Sequence, residues 1–255
     1  MIIILSPAKT LDFEHDASVK TMTEPRLAED ASQIMKKLSE YDEPGLEKLM
    51  KISSKLASLN ALRHRSWSAT HTNENSKQAI YAFRGEVYNG IDIDRFNVDE
   101  MEFAQQHVRI LSGLYGVLRP LDRIQPYRLE MGTKLNIDKN KNLYEFWGSS
   151  ITEVLQKDLD ATQNPVLVNL ASNEYSKSVK TDALSAPIVT PVFKELKNGD
   201  YKVIAIYAKK ARGLMTAYVI KNRITNAEDL KSFDEDGYMF DVNLSTDNEW
   251  VFTRG

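Results

Sequence analysis

The sequence predicts an α/β protein, and three observations carry the prediction. Two short runs, residues 2–5 and 166–170, are almost purely apolar and have the length of buried strands. Amphipathic patterns at helical spacing lie between them. A polar cluster follows each apolar run: Ser6-Pro7-Ala8-Lys9-Thr10 after the first, and Ser172-Asn173-Glu174-Tyr175 after the second. Ligands gather at the carboxyl ends of strands in α/β sheets. The two clusters are therefore expected to converge on one cleft.

The 255 residues are 42% hydrophobic, enough for a sizeable core. There is no internal repeat and no low-complexity linker, so residues 1–255 read as a single domain. The net charge is -3, so any nucleic-acid surface must be local. The absence of cysteine excludes disulfides, thiol catalysis and thiolate metal sites. It suits a reducing cytoplasm, the expected location. The apolar start is too short for a signal or membrane span, and no membrane partner is expected.

Charge is unevenly distributed. Residues 109–147 hold seven Lys/Arg and four Asp/Glu, and residues 176–223 hold ten and three. Residues 224–255 reverse the sign, with two against eight. Two basic blocks and an acidic tail point to anion binding more than the total does.

Taken in order, residues 25–41 and 44–62 read as amphipathic helices, the second ending in a basic-aromatic cluster of Arg63, His64, Arg65 and Trp67. Residues 97–111 read as a helix capped by Asn97. Ser112-Gly113-Leu114-Tyr115-Gly116 breaks it, and residues 117–124 are expected to form a second helix with Pro120 in its first turn. Helix, glycine hairpin, helix is the outline of a DNA-binding element whose N–H groups meet phosphate. The segment, about 97–124, is therefore expected to be helix-hairpin-helix-like. Arg109, Arg119, Arg123 and Arg128 surround it and offer bidentate phosphate grip. Residues 143–159 read as one helix, 188–196 and 201–207 as a strand pair, and 238–244 and 250–253 as final strands. Lys209, Lys210 and Arg212 are expected just before a last helix. Cations at a helix N-terminus oppose its dipole, which suggests a bound anion there.

No Walker-type loop, dinucleotide fingerprint or HExxH sequence is present. His15, His64, His71 and His107 lack ligand spacing. No metal site and no cofactor are expected.

Five segments together, ILSPAKT, LSGLYGVLRPLDRIQPYRLEMGTKL, LYEFWG, NLASNEYSKSV and YAKKARGLMTAYVI, resemble the YaaA-type bacterial peroxide-stress resistance proteins. The likeness spans the chain in order. It implies a mixed β-sheet core with surrounding helices in an unusual topology. It also implies a stress-response role: limiting peroxide damage by keeping free intracellular iron low, with binding to double-stranded DNA. Carried over, the hairpin falls on Gly113, Tyr115 and Gly116, and the basic cleft on Lys9, Arg119, Arg128, Lys209, Lys210 and Arg212.

The leading expectation is thus a protein that holds duplex DNA mainly by its phosphate backbone, with steep salt dependence and little base readout. The alternative is an enzyme acting on a nucleotide or nucleic-acid base in the same cleft, with Glu130, Glu174, Ser172 and Asn173 as its candidate catalytic groups. Direct iron binding by Asp234, Glu235 and Asp236 is a third reading, against which stands the bland one of a solvated acidic run.

Overall fold

The computed structural model describes all 255 residues. Its main sheet has eight strands: β1 (Ile2–Leu5), β2 (Val108–Ser112), β3 (Gly116–Leu118), β4 (Leu167–Asn169), β5 (Ile188–Lys197), β6 (Asp200–Lys202), β7 (Met239–Phe240) and β8 (Glu249–Arg254). Seven run in the order β7-β8-β5-β4-β1-β2-β3, and β6 pairs with β5. The five inner strands are mutually parallel, while β3, β6 and β7 are attached antiparallel. The fold is mixed α/β, as the sequence predicts.

β1 is central because all four of its side chains are buried and the strand pairs on both edges, Ile3 with Val108 and Ile2 with Leu167. Apolar runs of this kind belong in parallel sheets covered on both faces. Helix Ala28–Leu38 covers the sheet with Ala31, Ile34, Met35 and Leu38, and helix Ser150–Asp160 with Ile151, Leu155 and Leu159. Helix Ala205–Lys221 crosses helix Glu86–Ile91 at a glycine pair. A Cβ on Gly213 would lie 1.9 Å from the Val87 carbonyl oxygen, and one on Gly90 2.3 Å from that of Lys210. No helix is long and apolar enough to cross a membrane.

The segment 97–124 departs from expectation. Its helix ends at His107, and residues 108–112 become β2. The second expected helix is replaced by β3, a turn at Arg119–Asp122 and the short strand Arg123–Ile124. The element is a β-hairpin inside the sheet, not a helix-hairpin-helix. The β-branched Val108 and Ile110 complete the edge of β1, and that pairing overrides the helical pattern. Ser112 Oγ accepts the Leu114 and Tyr115 N–H groups, so neither is left for phosphate.

Three further boundaries moved. The expected helix 44–62 is two helices, Glu43–Met50 and Ser54–Ser66. Lys51 turns left-handed between them at φ 53°, and the Ser53 side chain caps the second. Gly148, at φ 48°, divides the expected helix 143–159 into Leu143–Trp147 and Ser150–Asp160. The last helix starts at Ala205, so Lys209, Lys210 and Arg212 lie in its first half rather than before it. Their supposed conflict with the helix dipole is removed, because that effect fades within the first turn.

Two outcomes are expected. Gly213→Ala gains about 1 kcal/mol of helix propensity but forces a methyl group into a backbone carbonyl, an overpacking cost of roughly 1–3 kcal/mol. The overlap prevails, and a urea titration will find the variant less stable. His64 is 3% exposed with neither ring nitrogen bonded. Burial first, and Arg63 second, push its pKa from 6.5 down to about 4. Between those values the unfolded chain holds more protons, so this contribution is complete above pH 6.5 and is lost as pH falls toward 4. The loss is on the order of 3 kcal/mol. His64→Leu will flatten that part of the stability-versus-pH curve, and an unchanged curve would contradict it.

Candidate functional site

The chain leaves β1 toward β2 on one side and reaches β4 on the other side only later. Such a reversal of strand order opens a crevice at the carboxyl ends of the strands. Here it holds a cleft of about 490 Å³, lined among others by Lys9, Arg128, Glu130, Ser172, Glu174 and Arg212. Its rim is tied together by Ser6. Ser6 Oγ accepts from Ser172 N at 2.8 Å and donates to Ser172 Oγ at 3.2 Å, while the Ser6 carbonyl accepts from the Tyr88 hydroxyl at 3.0 Å. The small ladder of Thr10–Leu11 with Phe83–Arg84 brings Arg84 and Gly85 to the same rim.

Three acids, Glu86, Glu130 and Glu174, and five cations, Lys9, Arg84, Arg128, Lys209 and Arg212, line this space. Glu130 accepts from Lys9 at 2.8 Å and Arg128 at 3.3 Å. One oxygen of Glu174 accepts the Gly132 N–H at 2.8 Å. Lys209 lines the cleft without an ion pair. The guanidinium of Arg212 has no acidic or carbonyl partner, and burial alone acts on it, drawing its pKa down. Arg128 Nε is buried and unbonded. Tyr88, Tyr127 and Tyr175 form the floor. Burial raises the pKa of each, so all three hydroxyls stay neutral.

A second groove of about 680 Å³ adjoins the cleft and shares Glu130 and Glu174 with it. Lys48, Lys51 and Lys134 line this groove, all exposed and none in an ion pair. Lys48 and Lys51 belong to the helix pair Glu43–Met50 and Ser54–Ser66. That pair has its own small core of Leu46, Ala57 and Ala61. It is stitched by hydrogen bonds from Ser54 and Ser58 to Glu47 and Glu43. Residues 43–66 are thus two short helices joined by a turn, where one helix was expected. Ser53-Ser54 in mid-pattern was the available signal, since serine favours caps over helix interiors.

Seven of the residues singled out in the sequence meet in the cleft: Lys9, Arg128, Glu130, Ser172, Glu174, Lys209 and Arg212. The others lie elsewhere. Arg119 is held by Asp122 at 2.8 Å, and Lys210 by Asp236 at 3.3 Å. Asn173 is exposed outside the lining. Gly113, Tyr115 and Gly116 are packed inside. A Cβ on Gly113 would lie 2.5 Å from the Leu129 carbonyl oxygen, and one on Gly116 2.9 Å from the Trp147 ring. The Tyr115 hydroxyl accepts from Trp67 Nε1 and from Gln125 N, both at 3.1 Å, and burial pushes its pKa up to about 12. The hairpin is the inner buttress of residues 127–130, not a contact surface. Arg109 is likewise internal, bound to Asp158 at 2.6 Å. No group of three or more His, Asp or Glu side chains is placed to hold a metal ion. Asp236 is paired with Lys210 and Arg254.

The molecule is a mixed α/β protein with a crevice, lined by both cations and acids, at the switch point of its parallel strands. The chain belongs to the peroxide stress protein YaaA family, whose model matches residues 1–244. It is 53% identical over 254 residues to a UPF0246 protein of Aliivibrio fischeri (strain MJ11), covering 100% of this chain and 98% of that protein. It is 52% identical over 254 residues to a UPF0246 protein of Saccharophagus degradans, covering 100% and 99%.

Ser6→Ala removes both bonds to Ser172 and leaves the Ser172 N–H without an acceptor. A loss of about 1–2 kcal/mol is expected in denaturant unfolding, with no change in secondary structure by circular dichroism.

Proposed function

We propose that this protein acts in peroxide-stress resistance by holding double-stranded DNA, mainly through its phosphate backbone, across the cleft and the adjoining groove. The observation that carries the reading is a continuous set of unpaired cations. Lys48, Lys51 and Lys134 line the groove and Lys209 and Arg212 the cleft, with Glu130 and Glu174 at the junction. The helix pair at residues 43–66 brings Lys48 and its left-handed turn at Lys51 to that groove. Family membership supports the stress setting. Cytoplasmic action and a lower level of free iron are part of this proposal. With no ligand cluster for iron, the iron effect would follow from DNA binding rather than from storage.

A second reading, an enzyme acting on a nucleotide or a base, is favoured by one observation: Glu130 and Glu174 both face the same cleft. A carboxylate beside cations is equipped to orient water or accept a proton.

Duplex affinity measured against salt tests the first reading. Lys48→Ala/Lys51→Ala/Lys134→Ala will bind more weakly at every salt concentration. Its plot of log affinity against log salt will be shallower by roughly 3, one counterion per lost contact. An unchanged slope would remove the groove from the DNA interface.

A further inference from the structure

We propose that the inner end of the cleft is a pocket for a nucleoside phosphate, with its phosphate on Arg212 and Arg128 and its base against the tyrosine floor. The inference deepens the duplex-binding reading and rests on it for one possible source of the nucleotide.

Three features of the pocket ask for a ligand of this kind. The first is charge. Arg212 is half-buried and its guanidinium is in no ion pair, and Arg128, bonded to Glu130 at 3.3 Å, keeps a buried Nε without an acceptor. Guanidinium groups drawn from water without partners are costly unless an anion completes them. A phosphate accepts from two arginines at once in the fork geometry that suits both.

The second feature is a free acceptor. Glu174 bonds Gly132 through one carboxylate oxygen, and its other oxygen has no protein donor. An acid facing the arginines calls for a ligand with an anionic end and a hydrogen-bond-donating end. Ribose hydroxyls and exocyclic amino groups are such donors.

The third feature is shape. At about 490 Å³ the cleft falls in the range of small-molecule sites, roughly 300–1,000 Å³, and is several times larger than a phosphate ion. Pro7, Val87, Leu129 and Leu170 join Tyr88, Tyr127 and Tyr175 in the lining. Aromatic and aliphatic walls with a few neutral hydroxyls suit a planar heterocycle. The groove bearing Lys48, Lys51 and Lys134 opens into the pocket at Glu130 and Glu174, so a nucleotide swung out of a bound strand would enter there.

The test uses the full chain. Calorimetry compares the four deoxynucleoside 5′-monophosphates with the parent nucleosides and with inorganic phosphate. The variants are Arg212→Ala and Arg212→Met, the second keeping the packing of the stem, with Arg223→Ala as a surface control. At least one monophosphate will bind the wild-type chain about tenfold or more tighter than its nucleoside or phosphate, and both Arg212 variants will lose about tenfold or more. Phosphate binding as tightly as every monophosphate, or Arg212→Met binding as wild type, would overturn the pocket. A duplex carrying 2-aminopurine at a mismatch separates the sources. A fluorescence rise that needs Arg212 assigns the pocket to an extruded nucleotide, and monophosphate binding without that rise assigns it to a free one. Intact-duplex affinity, read in parallel, keeps the two proposals apart. A protein that binds duplex but neither probe loses the pocket alone, and one that binds monophosphates but no duplex loses the DNA reading alone.

Discussion

The molecule depends on β1 being paired on both edges. Four apolar residues, all buried, take a parallel partner on each side. A strand so placed ends only at the rim of the sheet, and its continuation must emerge between the two neighbouring strand ends. Ser6 to Lys9 emerges there. The Ser6 bonds to Ser172 and Tyr88 follow from that placement, and so does the convergence of β1 and β4 on one crevice. The hydrophobic requirement of a short strand thus fixes where polar chemistry becomes possible.

The cations singled out above divide into two groups. Arg109, Arg119, Arg123 and Lys210 are neutralised by Asp158, Asp122, Glu24 and Asp236. They shape the fold and offer little to a ligand. Asp158 illustrates the balance. Burial, its largest single influence, works to raise its pKa, but hydrogen bonds from Arg109 and Arg26 outweigh it and keep the carboxylate ionised. Lys48, Lys51 and Lys134 of the groove and Lys209 and Arg212 of the cleft lack such partners. The functional reading rests on this sorting, not on the number of basic residues.

The same sorting explains what the sequence could and could not disclose. The strands Ile2–Leu5 and Leu167–Asn169 were legible because unbroken apolar runs of that length have few other uses. The meeting of Lys9 and Glu174 followed from the strand-end rule, and the place of Arg128 and Arg212 beside them from the family resemblance. The glycine hairpin was misread because a turn framed by glycines looks alike between helices and between strands. Only pairing with β1, more than 100 residues distant in sequence, decides between them. Partners such as Arg26 and Asp158, 132 residues apart, leave no local trace. Hence the arginines of the basic block could not be separated into paired and unpaired from their spacing. The left-handed turn at Lys51 was missed because an apolar stripe runs through both helices it separates.

The contact of Gly90 with Gly213 has a mechanical consequence for the cleft. Where side chains separate two helices, rotamer changes let the walls relax piecemeal. Here backbone meets backbone, and there is no soft layer between helix Ala205–Lys221, which carries Arg212, and helix Glu86–Ile91, which carries Tyr88. The spacing between guanidinium and tyrosine behaves as a rigid gauge. Any widening must shift one helix as a body, so an occupant of the proposed pocket would be selected by fit instead of having the walls mould around it.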